Sequence, residues 1–96
     1  MSTYSRISAM EKGIEIIKFL AEQRGPVSGR DVAMALDMKH GTVMCYLATC
    51  QDHNWVNRVG DHYEVGQGLA SIWARKVAKL KSARNTINYQ LEDLEG

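Results

Sequence analysis

Apolar residues recur at helical spacing along the first quarter of the chain. Met10, Ile14, Ile17 and Ala21 form a stripe, widened by Ile16, Phe19 and Leu20. Ser8 stands three positions before Glu11, the spacing of a capping box, so a helix is predicted to begin at Ser8. Gly25 and Pro26 should end it, the first suited to a left-handed C-cap and the second unable to continue a helix. Next, Ser28 precedes Val32, Ala33 and Leu36, with Asp31 placed as the reciprocal partner of an N-cap. The apolar spacing lapses across Asp37, Met38, Lys39 and His40, then resumes at Val43, Tyr46, Leu47 and Cys50. Two short helices joined by a tight connection are therefore predicted over residues 28–52, a helix-turn-helix pattern.

The pattern then changes period. In WVNRVGDHYEVG, β-branched and aromatic residues flank Gly60 and Asp61, which predicts a hairpin with Trp55, Val56, Tyr63 and Val65 turned to the core. From Gly68 the chain reads as one long helix without proline. Trp73, Val77, Leu80, Ile87, Leu91 and Leu94 follow the alternating 4, 3 spacing of a heptad seam, with Arg84 at the missing position. About 27 residues at 1.5 Å each make a rod of roughly 40 Å. Its first part, Leu69 to Leu80, can pack on its own domain, but Ile87 to Leu94 cannot, and the simplest cover is the same helix of a second subunit. Arg84 would then help to set the register. The expected fold is mainly α with a small β-hairpin: an N-terminal arm (1–7), a winged helix-turn-helix domain (8–66) and a long basic helix serving as dimerisation segment (67–96).

Composition narrows the function classes. With 96 residues, 45% hydrophobic and 24% charged, the chain is one ordinary globular domain, too small for a large enclosed active site. It shows no nucleophile and base, paired-carboxylate or phosphate-loop motif, so no enzyme and no cofactor are expected. Cys50 and His53 lie one helical turn apart, but two ligands are too few for a metal site. No apolar run is long enough for a signal peptide or a membrane span, and Cys45 and Cys50 form no CxxC motif, so a cytoplasmic protein with reduced thiols is expected. The net charge of +1 hides an uneven distribution: Arg75, Lys76, Lys79, Lys81 and Arg84 cluster, and Glu92 to Glu95 is acidic.

The outer face of the second helix of the motif holds Gly41, Met44, Cys45, Ala48, Thr49 and Asp52, with Lys39 and His40 at its start. The hairpin tip presents Arg58, Gly60, Asp61 and His62, of which Arg58 suits a phosphate best. These residues admit contact with DNA, and they also admit a helical corner that binds another protein. With helix, helix-turn-helix and wing in this order, residues 9–80 resemble the N-terminal winged helix-turn-helix domain of the IclR family of bacterial transcription regulators. AMEKGIEIIKFLAEQRGPVSGRDVAMALDM is similar to the family's opening helix and first motif helix, HGTVMCYLATCQDHNWV to its recognition helix and exit, and HYEVG to the second wing strand.

The resemblance implies a homodimer on double-stranded DNA, with the recognition helix in the major groove and two recognition helices about one DNA turn, near 34 Å, apart. Carried over by position, His40, Gly41, Thr42, Met44 and Cys45 are the residues that face DNA, with Lys39 just before them; Ser28 at the cap and Arg58 and His62 at the hairpin tip complete the expected DNA-contacting set. The chain departs from the family's tendency to Pro, Lys, Ser and Thr at positions 39–42 and to a basic residue at position 45, which implies weaker phosphate and guanine contacts. The family's effector-binding domain has no counterpart in these residues, so no small-molecule effector is expected. The function expected is that of a small bacterial or phage transcription regulator reading a specific duplex sequence. The alternative is a winged-helix protein-interaction module with no DNA readout.

Overall fold

The computed structural model describes residues 4–95. Residues 1–3 of the expected arm and the last residue lie outside the described residues. The chain forms α1 (Ser8–Glu22), β1 (Val27–Ser28), α2 (Gly29–Ala35), α3 (His40–Asp52), β2 (Val56–Val59), β3 (His62–Val65) and α4 (Gln67–Glu95). The strands make one antiparallel sheet in the order β1-β3-β2. A mainly helical winged helix-turn-helix followed by a long helix is thus the architecture observed.

The core is small and joins every element before α4. Ile16 and Leu20 of α1, Val32 and Ala33 of α2, Val43 and Leu47 of α3, Val56 of β2 and Tyr63 of β3 are all buried. Only part of the expected face of α1 is among them. Ile16 and Leu20, read as widening the stripe, carry the packing, while Met10 and Ile14 are 62% and 45% exposed and Ala21 is exposed too. The helix is apolar on two sides, and α2, α3 and the sheet can close on only one of them. The start at Ser8 is observed, but Ile7 occupies the N-cap without a side-chain hydrogen bond, so Ser8 and Glu11 form no capping box. Gly25 does not adopt a left-handed conformation. Instead, α1 ends at an extended Gln23, whose Nε2 donates to the Phe19 carbonyl at 3.0 Å.

Ser28 does cap α2: its Oγ accepts from the Asp31 amide at 3.1 Å. Both helices of the motif then end alike. Asp37 and Asn54 take φ of 52° and 61°. Behind them the Met38 amide reaches back to the Ala33 carbonyl at 2.9 Å, and the Trp55 amide to the Cys50 carbonyl at 2.9 Å. These six-to-one bonds, with a left-handed residue at C′, are Schellman closures built on Asp and Asn, residues whose short polar side chains tolerate that conformation.

The hairpin pairs Val56 with Val65 and Val59 with His62, leaving Gly60 and Asp61 as a two-residue turn. Gly60 alone takes a positive φ, 62°, so only one of the two central positions needs it. Val56 and Tyr63 face the core as expected and Val65 is half-buried, but Trp55 is 37% exposed. Trp55 stands before β2 in the closure of α3, and its ring lies over an apolar groove of about 350 Å³ shared with Met10, Ile14 and Leu69. The sheet also has a third strand that period-2 reasoning cannot detect, since β1 is only two residues long; it pairs Val27 with Tyr63 and Ser28 with His62.

Two glycines fix where α4 departs. The Gly68 amide donates to the Asn54 carbonyl at 2.7 Å and the Gly66 amide to the Trp55 carbonyl at 2.8 Å. A Cβ on Gly66 would collide with the Asn54 carbonyl oxygen, so the β3–α4 junction lies directly against the end of α3. Beyond it, 29 residues of helix extend roughly 43 Å. Of its apolar residues only Leu69 and Val77 are half-buried, whereas Trp73, Leu80, Ile87, Leu91 and Leu94 are between 50% and 85% exposed. Packing of the first part of α4 on its own domain is therefore confined to its opening turns.

Candidate nucleic-acid interface

Three separate pieces of chain converge beside the start of α3. The capping residue of α2, the first two turns of α3 and the hairpin tip enclose an open cleft of about 220 Å³ lined by Ser28, Gly29, Arg30, His40, Met44, Arg58, Asp61 and Tyr63. Convergence follows from the sheet: because Ser28 is laddered to His62 and Arg58 to Tyr63, the cap of α2 and the middle of β2 flank the same strand. Close approach of α2 to α3 depends on Gly29, which lies under the Met44 side chain. A Cβ there would come within 2.5 Å of the Met44 sulfur and 3.6 Å of His40 Nε2.

Of the expected DNA-contacting residues, Ser28, His40, Met44 and Arg58 share this cleft. Met44 is half-buried and packs on the core, so its thioether forms the floor of the cleft more than a free surface. Lys39 is the N-cap of α3 without a side-chain cap bond; Gly41 and Cys45 are exposed and Thr42 half-buried along the helix's first two turns. His62 is exposed at the start of β3. On the outer face of α3, the Thr49 hydroxyl is already engaged, donating to the Cys45 carbonyl at 2.8 Å.

Charge is distributed differently from the α3 sequence alone. The first turn of α3 carries no acidic residue, so the positive end of its 13-residue dipole is unopposed from within. Arg30, an exposed residue at the start of α2, adds a guanidinium that the helix-turn-helix pattern does not reveal, because the pattern directs attention to the second helix. Its signal was legible only as a basic residue two positions after the cap. Arg58 does not extend freely from the wing: its Nε donates to the Gly60 carbonyl at 2.7 Å, and its terminal nitrogen lies 3.7 Å from Asp61 Oδ1. Across the hairpin, Asn57 donates to Glu64 at 3.1 Å, which holds β2 and β3 in register below the tip.

The chemistry available here is recognition of an anionic, hydrogen-bonding surface. Among the described residues no group of three or more His, Cys, Asp or Glu side chains could hold a metal ion, and no helix is long and apolar enough to cross a membrane. Both cysteines are free thiols; burial pushes the Cys50 thiol up, while Cys45 is exposed. Away from the cleft, the seam residues expected to dimerise, Trp73, Val77, Leu80, Ile87, Leu91 and Leu94, lie along α4 and line no part of it.

Comparison with known proteins agrees with the architecture. The fold is similar to the crystal structure of an IclR transcriptional regulator from Alicyclobacillus acidocaldarius, with a TM-score of 0.70 and 17% identity over 75% of this chain and 30% of that one. It is also similar to an IclR-type transcriptional regulator from Silicibacter sp. TM1040, with a TM-score of 0.69 and 18% identity over 76% of this chain and 29% of that one. The chain thus spans about 30% of the length of these relatives. No curated protein sequence matches it. Residues 9–60, more than half of the chain, match the IclR helix-turn-helix domain, and the chain belongs to that family.

Proposed function

We propose that this chain binds double-stranded DNA sequence-specifically as a transcription regulator, with α3 in the major groove and the β2–β3 wing on the flanking backbone. The observation that carries this reading is the convergence of Ser28, Arg30, His40 and Arg58 around the dipole-positive start of α3. Backbone and hydroxyl donors with two guanidiniums in one concave surface match the phosphate contacts that position such a domain. Lys39, His40, Gly41, Thr42 and Cys45 then present the side of α3 that meets the DNA, with Thr42 the best placed for base readout and Lys39 for a phosphate. His62 adds a wing contact.

The protein acts as a homodimer through α4, and its setting is the cytoplasm of a bacterium or of a bacterium carrying a phage. Family membership and the exposed seam from Trp73 to Leu94 support the reading. Selection of bound sequences from random duplex DNA tests it. A convergent motif with two related halves is expected, whereas recovery of unselected sequence at every round would count against it.

A further inference from the structure

The exposed seam of α4 leaves open which way its partner helix runs, and the charges beside the seam decide it. We infer that two copies of this chain pair through α4 in antiparallel orientation, in the register that sets Arg84 against Ile87, Leu80 against Leu91 and Val77 against Leu94 of the partner. The inference rests on the reading of α4 as the homodimer contact.

Position by position, a parallel pair fails on charge. It would stack each seam residue on its own copy, placing the two Arg84 guanidiniums opposite one another in the contact. It would also bring Lys76, on one flank of the seam, beside Lys81 on the facing flank of the partner, the usual flanking pair of parallel strands. Helices in contact run 8–10 Å apart, about one Debye length at ordinary ionic strength, so these repulsions would be felt.

Reversing one helix removes each conflict. Every Arg84 then lies over an Ile87, where its aliphatic stem covers apolar surface and its head reaches solvent at the edge. At about 100° per residue, Glu92 falls on the same flank as Lys81 and within two residues of it in height on the partner, while Asp93 falls within about 40° of Lys79, on the side of the seam where Lys76 also lies. All six of these charged residues are exposed on α4 and accessible to a partner. The basic first half and acidic last part of the helix thus become complementary instead of self-repelling. Trp73 lies outside the six paired layers, toward its own domain. Antiparallel pairing also places the two starts of α4 roughly 55 Å apart along the rod, where parallel pairing would leave them side by side.

Pulsed electron-electron resonance on spin labels tests the orientation, using Ser71→Cys and Asn85→Cys in turn in a Cys45→Ser, Cys50→Ser background. Labels at position 85 lie near the centre of the overlap and should be close in either orientation. Labels at position 71 should be roughly 45 Å apart if antiparallel and within roughly 20 Å if parallel. Short distances at both positions overturn the antiparallel register while keeping the dimer. Absence of an intermolecular distance at both positions overturns the dimer reading beneath it. The unmodified chain gives a second readout free of any folding cost from the substitutions: its dimerisation should weaken severalfold as salt is raised from about 0.05 to about 0.5 M, and a strengthening would overturn the proposal.

Discussion

Replacing Asp61 by Asn should tighten DNA binding, because the carboxylate opposes the wing in two ways. It lies 3.7 Å from the Arg58 guanidinium, where it would compete with a phosphate, and its side chain is 95% exposed at the tip proposed to approach the DNA backbone. An exposed ion pair nets only about 0–1 kcal/mol, and two unit charges about 4 Å apart in water interact by about 1 kcal/mol, so releasing one such opposition is worth roughly 1 kcal/mol per wing. That corresponds to roughly fivefold in affinity for one wing and roughly 25-fold for a dimer with both wings engaged at low salt. Asn suits a tight turn as well as Asp does, so folding stability should change by less than about 0.5 kcal/mol. The assay is fluorescence anisotropy on a selected duplex over a salt series, with Arg58→Ala alongside. The arginine variant should bind more weakly, with the slope of log affinity against log salt reduced by about 0.9 per wing and little change in sequence preference. Equal affinities of Asp61→Asn and the parent at low salt, with Arg58→Ala also unchanged, would refute the placement of the wing on DNA.

Four further outcomes follow from the packing. Gly66→Ala should lower stability by roughly 1–3 kcal/mol in urea denaturation, because the new methyl meets the Asn54 carbonyl, which is backbone and cannot turn aside. Ile87→Asp with Leu91→Asp should yield a monomer of undiminished winged-helix content by sedimentation equilibrium and circular dichroism: each burial lost is worth roughly 1.5–3 kcal/mol, or orders of magnitude in dimer affinity for the two together. The Cys50 thiol, raised by burial, should alkylate more slowly than exposed Cys45 at neutral pH. Since its folded value lies above the unfolded one, its contribution to stability is present below the ordinary 9.0 and is lost as pH rises beyond it, which a pH series of denaturation midpoints would detect.

The helix-turn-helix was legible because Ser28 caps α2 and because Val43 and Leu47 repeat at a period only one helix face can satisfy. The hairpin was legible for a similar reason, Gly60 interrupting β-branched residues. What escaped were features set by tertiary choice. Stripe periodicity could not say which side of α1 the other elements would cover, since Met10 and Ile14 are as apolar as Ile16 and Leu20. Trp55 reads as core by composition, yet the Schellman closure at Asn54 places it at the edge of a groove. Gly25 and Pro26 looked like a helix stop with its own cap, while Gln23 ended α1 through a side-chain bond to Phe19. In the cleft, Ser28, His40 and Arg58 could be named one at a time, but Arg30 joins them only through the short β1–β3 pairing that aligns α2 with the wing.

The central claim is that the start of α3 reads duplex DNA, and the most direct test compares Lys39→Ala and Thr42→Ala with the parent on the selected duplex and on base-substituted versions of it. The account predicts that Lys39→Ala weakens binding to all of them alike and flattens the salt dependence by about one counterion per subunit, while Thr42→Ala changes the ranking among them by roughly 1–3 kcal/mol at one position. Parent-like affinity, salt slope and ranking in both variants would contradict it.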